Sequence, residues 1–284
     1  MTYRSLLVHL DHDRRLDARI AYALGIAREL HCHVIGAAPT GSVPAPTEFV
    51  PVGAAASLAD YADAVWMALD QRGHELQERF ESACRQAGVA SHETIVEHAD
   101  KAQSLVRLSH CSDIVVISQA DPEAPDFPAA SERVADVVTR SARPTIVLPF
   151  AGEFATTPSR VLVAWDDSRE AARALADALP LLRRAEKVQL VTWERGAHGA
   201  DAGWPERHAA LQRWLQGHGV AAEPRLSRSG DNALSEAMLS RAFDGGADLI
   251  VMGAYGHRRW TERVLGGTTH GMLASMTVPV LMSH

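Results

Sequence analysis

The sequence predicts an α/β protein built from two similar units, each a five-stranded parallel sheet with helices on both faces. Three observations predict it. Short apolar runs alternate with longer helical patterns, the signature of βαβ units and a parallel sheet. The series occurs twice along 284 residues. Each pass also closes on a short apolar run beside a proline, a residue tolerated at a strand start because it owes no ladder donor there.

The first unit opens with the apolar run Ser5-Leu6-Leu7-Val8-His9-Leu10-Asp11 and an Ala-rich helical pattern from Leu16 to Leu30. A second strand follows over His33 to Ala38. Pro39 to Ala56, rich in Pro, Gly and Ala, reads as an irregular surface loop, and Leu58 to Ala87 as a long helix. Ser112 to Ile117 is a later strand, and Ser141 to Leu148 closes the unit in a short apolar run beside Pro144. The stretch from Phe150 to Pro158, FAGEFATTP, is small-residue and proline-terminated, as a domain boundary should be. The units are therefore bounded as 1–149 and 159–284, with 150–158 as linker. The second unit repeats the order: an apolar strand from Arg160 ending in Asp166, helix Glu170 to Arg183, strand Val188 to Trp193, a shorter helix Pro205 to Gln216, then strands Ala247 to Met252 and Val278 to Met282. Two self-similar units can pack about a pseudo-twofold axis, like a homodimer fused into one chain.

Composition bounds the function classes. The formal net charge is -7 and hydrophobic residues make up 46%, enough for a sizeable core. No basic stripe suggests nucleic acid, and no apolar run approaches the roughly 18 residues of a membrane span. The start MTYRSLLVHLDHD lacks the apolar core of a signal peptide. Three widely spaced cysteines, Cys32, Cys84 and Cys111, suit reduced, buried thiols and a cytoplasmic setting. His31 and His33 have no further ligands at metal-binding spacing. His9 reads as a satisfied core histidine. No G-x-S-x-G, H-E-x-x-H or G-x-x-x-x-G-K-[ST] motif is present.

The stretch most suggestive of chemistry runs from Asp248 to the end. Leu249 to Met252 opens into Gly253; Gly256, Gly266 and Gly267 follow, and Thr268 and Thr269 start a helical segment. Glycines after a buried strand let a ligand approach the main chain, and free N–H groups at the next helix start favour negative charge. His257, Arg258, Arg259 and Arg263 add positive potential. A phosphate-bearing small molecule is the natural guest; the bland reading is that the glycines only make a turn.

These residues resemble the universal stress protein family, in a tandem two-domain form. The resemblance rests on Val161 to Asp166, on Ala247 to Gly253, on Val278 to Leu281 and on the spacing G-x2-G-x9-G of Gly253, Gly256 and Gly266. It implies a Rossmann-like sheet of order 3-2-1-4-5, pairing of domains through their fifth strands, and a crevice for ATP with magnesium at the carboxyl ends of strands one and four, the topological switch point. By the same resemblance Ala164, Trp165 and Asp166 would face adenine or ribose, and Trp193 would meet the adenine edge. Met252, Gly253, Gly256 and His257 would approach ribose and phosphates, and Gly266, Gly267 and Thr268 would hold phosphates at the helix start.

Three departures stand against that reading. Gly267 occupies a place where a hydroxyl residue is expected, with Thr268 one position late and turned by about 100°. Asp167 adds a carboxylate where glycine is frequent. Trp165 and Trp193 could stack on a base or fill the cleft. The first unit has Gln119-Ala120-Asp121-Pro122-Glu123-Ala124-Pro125-Asp126-Phe127-Pro128 in place of the glycine loop. Its prolines remove donors and its acids repel phosphate, so it reads as a copy without nucleotide binding, and Asp11 as a helix-cap or surface acid. Three function classes remain open: a stress-response protein with a regulatory adenine nucleotide and at most slow hydrolysis; an interaction or assembly module without nucleotide, whose pseudo-dimer may pair again; and, most weakly, an adenine-nucleotide enzyme, for which His257 is the one close candidate.

Overall fold

The computed structural model describes residues 2–42, 55–194, 204–228, 233–256 and 267–284. In chain order the first half contains β1 (Ser5–His9), α1 (Leu16–Leu30), β2 (His33–Pro39), α2 (Ala55–Ala87), β3 (His92–Glu97), α3 (Lys101–Ser109), β4 (Ile114–Ser118), α4 (Phe127–Arg140) and β5 (Thr145–Leu148). The second contains β6 (Arg160–Ala164), α5 (Arg169–Leu182), β7 (Lys187–Glu194), α6 (Trp204–Gly217), β8 (Ala222–Arg228), α7 (Leu234–Gly245), β9 (Leu249–Gly253), α8 (Gly267–Ser275) and β10 (Val280–Ser283). Most of the loop expected over Pro39 to Ala56 lies outside the described residues, and Ala55 and Ala56 already belong to α2.

Each half is parallel and ordered 3-2-1-4-5. The halves meet through their fifth strands, as the resemblance implied, and so share a single ten-stranded sheet, β3-β2-β1-β4-β5-β10-β9-β6-β7-β8. The joint is antiparallel, with Val147 opposite Val280 and Thr145 opposite Met282. A parallel edge strand leaves its outer N–H and C=O groups unpaired, and β5 and β10 satisfy one another's. Alternation along each strand divides the core by face. Leu6 and Val8 pack with Ile20 of α1, Phe80 of α2 and Leu175 of α5, whereas Leu7 packs with Leu105 of α3, Val134 of α4 and, beyond the joint, Met238 and Met272 of α7 and α8. Strands covered on both faces read as continuous apolar runs.

The repeat has a shared chemical anchor. Asp113, just before β4, accepts from the backbone N–H of Arg4 and Ser5 at 2.7 and 3.0 Å; Asp248, just before β9, accepts from Ser159 and Arg160, both at 2.9 Å. In both halves the acid ahead of the fourth strand ties down the start of the first. Polar contacts also cross the joint. The Tyr3 hydroxyl donates to the Asp177 carbonyl at 2.6 Å, and Gln119 Nε2 donates to the carbonyls of Leu273 and Ala274 at 2.8 and 3.2 Å. The linker is held against α1: Arg15 donates to the Gly152 carbonyl at 2.8 Å, Phe154 meets Tyr22 edge-on at 5.8 Å, and a Cβ at Gly25 would lie 2.5 Å from the Thr156 oxygen. Of the cysteines, Cys32 and Cys84 are buried as expected but Cys111 is exposed; all three are free. Among the described residues no helix is long and apolar enough to cross a membrane.

Candidate functional site

In the second half the strands β6 and β9 part at their carboxyl ends, and a cleft of about 430 Å3 opens there. Its size suits a small-molecule site. Ala164, Trp165 and Asp166 reach it from the end of β6, Trp193 from β7, Met252, Gly253 and Gly256 from β9 and its loop, and Gly267 and Thr268 from the start of α8. These nine sequence-predicted residues line one space. His257 and Gly266, with Arg258, Arg259 and Arg263, lie outside the described residues.

Neither tryptophan closes the cleft. Trp165 leans on one core face and Trp193 on the other, so both line walls. Trp193 Nε1 and the Tyr255 hydroxyl are buried without a hydrogen-bond partner among the described residues, two polar groups at an otherwise apolar wall formed with Leu234, Met238 and Met252. Burial pushes the Tyr255 hydroxyl up to about 12, so it is a neutral donor at physiological pH.

The mouth is organised by a short turn. Asp166 Oδ1 accepts from the Ser168 N–H at 3.1 Å and from its hydroxyl at 2.5 Å, and Ser168 in turn caps α5 by accepting from the Ala171 N–H at 3.1 Å. Between them Asp167 adopts φ 62°, a left-handed conformation that glycine takes at less cost. Its carboxylate is not left facing the cleft alone, because Arg207 of α6 pairs with it at 3.1 Å. Glu170, 6% exposed, lies under the loop and pairs with Arg169 at 2.7 Å.

The glycines divide by cause. A Cβ on Gly253 would stand 2.6 Å from the Ala171 nitrogen, so close packing of α5 on β9 already requires glycine there. A Cβ on Gly267 would meet nothing within 4 Å; it faces open space at the rim. Thr269 is buried and its Oγ1 accepts from the Tyr255 N–H at 3.1 Å, bracing the loop, while Thr268 is the half-buried hydroxyl residue at the cleft.

Sequence reasoning missed Arg207, His208, Leu234, Met238 and Tyr255. His208, 4% exposed, shares a 2.9 Å hydrogen bond with Thr192, and burial lowers its pKa. Nothing local marks these residues: α6 and α7 reach the cleft by packing on the sheet. The φ of 56° at Tyr255 was foreshadowed only by the turn expected between Gly253 and Gly256.

The first half also has a cleft at its corresponding switch point, about 400 Å3 in volume. There two expectations are corrected. Asp11 is neither a helix cap nor a surface acid: it pairs with the buried Arg19, and despite burial the guanidinium holds it well below the usual carboxylate range. His9 is buried but not satisfied, since Nε2 has no hydrogen-bond partner among the described residues.

Two five-stranded halves of order 3-2-1-4-5, each with a crevice beyond the first and fourth strands, define a tandem Rossmann-like α/β protein. Residues 158–284 match the universal stress protein family. That match covers the second half, less than half of the chain, and the first half repeats its strand order in the same sheet. Over nearly its whole length the chain is similar in fold to a universal stress protein from Archaeoglobus fulgidus, with 16% identity, a TM-score of 0.72, and 98% of this chain and 97% of that one covered. A functionally unknown protein from Pseudomonas aeruginosa shares the fold at 12% identity and a TM-score of 0.63, with 99% and 92% covered. A universal stress protein solved in complex with cAMP has 16% identity and a TM-score of 0.37, covering 53% of this chain and 100% of its own. No curated protein sequence matches the chain.

Proposed function

We propose that the second half binds ATP or a related adenine nucleotide, with magnesium, as a regulatory ligand in a cytoplasmic stress response. The observation that carries this reading is the open cleft of about 430 Å3 at the switch point, with an apolar wall for a base and the first turn of α8 at its rim. Trp193 and Tyr255 supply unmatched polar groups at the wall, and the free N–H groups of α8 suit phosphate oxygens. Arg207 neutralises the carboxylate of Asp167, which would otherwise oppose an anion. The ligand's effect would be on loop order and partner contacts, since a ligand shifts the population toward the state it binds. Within the cleft, a nucleophilic water would need a base beside the phosphates; Glu170 is turned under the loop and paired, so the reading is of binding with at most slow hydrolysis.

One observation favours a second reading, an interaction module that takes no nucleotide. Gly253 is required by the packing of α5 whether or not a ligand is present, so this part of the glycine pattern carries no information about binding.

Thermal unfolding with and without Mg-ATP separates the two. Binding to the native state raises stability by about 2.7 kcal/mol at about a hundredfold excess over the dissociation constant. Gly267→Asp puts a carboxylate into open space at the rim; the shift should vanish while the melting temperature without ligand holds. Absence of any shift in the unmodified chain at millimolar ATP would leave the interaction module.

A further inference from the structure

The cleft of the first half is built from different chemistry. It opens beyond β1 and β4, between α3 and α4, over an apolar floor that includes Leu105, Ile117 and Val134. His9 stands where the second half has Ala164, and Ser118 where it has Gly253. Arg19, 1% exposed, locks this end of the sheet: Nε donates to the His9 carbonyl at 2.6 Å and Nη1 to Ser118 Oγ at 2.6 Å, and the guanidinium pairs with Asp11.

His9 is 4% exposed and lines this cleft. Its Nδ1 faces Asp11 Oδ2 at 3.5 Å, which places the ring proton on that side and leaves Nε2 a lone-pair acceptor. That acceptor has no donor among the described residues, and a buried polar atom without a partner calls for an explanation. Two cations at the same cleft are also under-used. Lys101, the first residue of α3, makes no ion pair among the described residues. Among the described residues Arg133, 16% exposed, reaches only Asp126, at 3.9 Å. Of the acids at the cleft, Asp11 pairs with Arg19 and Asp121 with Arg14 at 2.9 Å, while Asp13 accepts from the Arg15 N–H at 3.1 Å and Asp126 lies near Arg133. Prolines 122, 125 and 128 remove backbone donors from the loop, so side chains must do the holding.

We propose that this cleft binds a small hydroxy acid, an oxyanion on a short carbon skeleton that also bears a hydroxyl. The acid group pairs with Lys101 and Arg133, charge-assisted contacts of the stronger kind. The hydroxyl donates to His9 Nε2, and the carbon body lies on Leu105, Ile117 and Val134. A carboxylate and a phosphate ester share this chemistry, and the same two cations serve either.

The test is calorimetric titration of the full chain with malate, glycerol phosphate and sulfate, with the His9 ring nitrogens followed by NMR. At least one hydroxy acid should bind in the millimolar range or tighter and move the Nε2 resonance; which of the two does so identifies the acid group. Sulfate, an oxyanion without a hydroxyl, should bind at least about tenfold more weakly, and Arg133→Gln and Lys101→Gln should each weaken the hydroxy acid by about tenfold. Lys101 is a half-buried residue at a helix start, so its variant reports even if Arg133→Gln misfolds. Gly267→Asp in the other half should leave this binding unchanged. Failure of both hydroxy acids to bind, sulfate binding as tightly, affinity that survives both charge variants, or an Nε2 resonance that stays in place with ligand bound would each overturn the proposal.

Discussion

The buried imidazole of His9, and in the same direction that of His208, makes the stability of this protein sensitive to mild acid. Burial pulls the His9 pKa from its ordinary 6.5 down to about 3, with Asp11 opposing and Arg19, Arg133 and Lys101 reinforcing. Between those values the unfolded chain holds a proton that the native ring does not. Stability therefore rises with pH through this window, is complete above it and is lost as pH falls. The contribution is at most about 1.4 kcal/mol per pH unit. Urea midpoints measured from pH 7 down to about 4 should fall less steeply in His9→Gln than in the unmodified chain, and parallel slopes would refute the assignment. The neighbouring Asp11, with its depressed pKa, adds its own loss only at lower pH, below the unfolded carboxylate's value. In the sequence, His9 stood inside an apolar run and read as a satisfied core histidine; that Asp11 would face its Nδ1 and leave Nε2 without a donor depended on how α1 and Arg19 pack on this end of the sheet.

At the scale of elements, the loop after β9 combines two kinds of glycine that look alike in sequence. Gly253→Ala should cost about 1–3 kcal/mol, the usual range for overpacking, because the new Cβ meets the backbone of α5 rather than a movable side-chain tip. Gly267→Ala should be neutral or stabilising by about 0.5–1 kcal/mol, since alanine loses less backbone freedom in a helix. Urea unfolding with unchanged m values would establish both; equal costs at the two positions would mean the packing has been misjudged. Element types were well marked along the chain where burial is continuous: α1 spans the expected Leu16–Leu30, and β5, Thr145–Leu148, lies within the closing segment expected over Ser141 to Leu148. The edge strands β3 and β8 were not individually placed. Their sequences, HETIVE and AEPRLSR, are polar and half-exposed, and an edge needs neither a continuous apolar run nor strict alternation.

At the scale of the whole molecule, polar groups are satisfied across the joint between the halves. Gln119 is 3% exposed; it donates to the last turn of α8 and accepts from the Phe150 N–H at 3.2 Å. One side chain of the first half thus holds both the linker and the helix whose other end borders the second half's cleft. Gln119→Ala should destabilise by about 1–3 kcal/mol, the cost of buried groups left unpaired. A change under about 0.5 kcal/mol in chemical denaturation would show that water replaces the amide freely.

Order along the chain was enough to reveal the duplicated α/β unit, the strands that carry the core, and nine residues that line the second cleft, because hydrophobic period and glycine spacing are properties of neighbours. It could not reveal that Gly253 answers to α5, that Arg207 would cover Asp167, or that the first half keeps a cleft of its own. Those outcomes depend on residues far apart in the chain meeting across the fold, as with Ala171 and Gly253 or Gln119 and Leu273. Such meetings are set by how helices and strands pack, and a chain read locally holds no record of them.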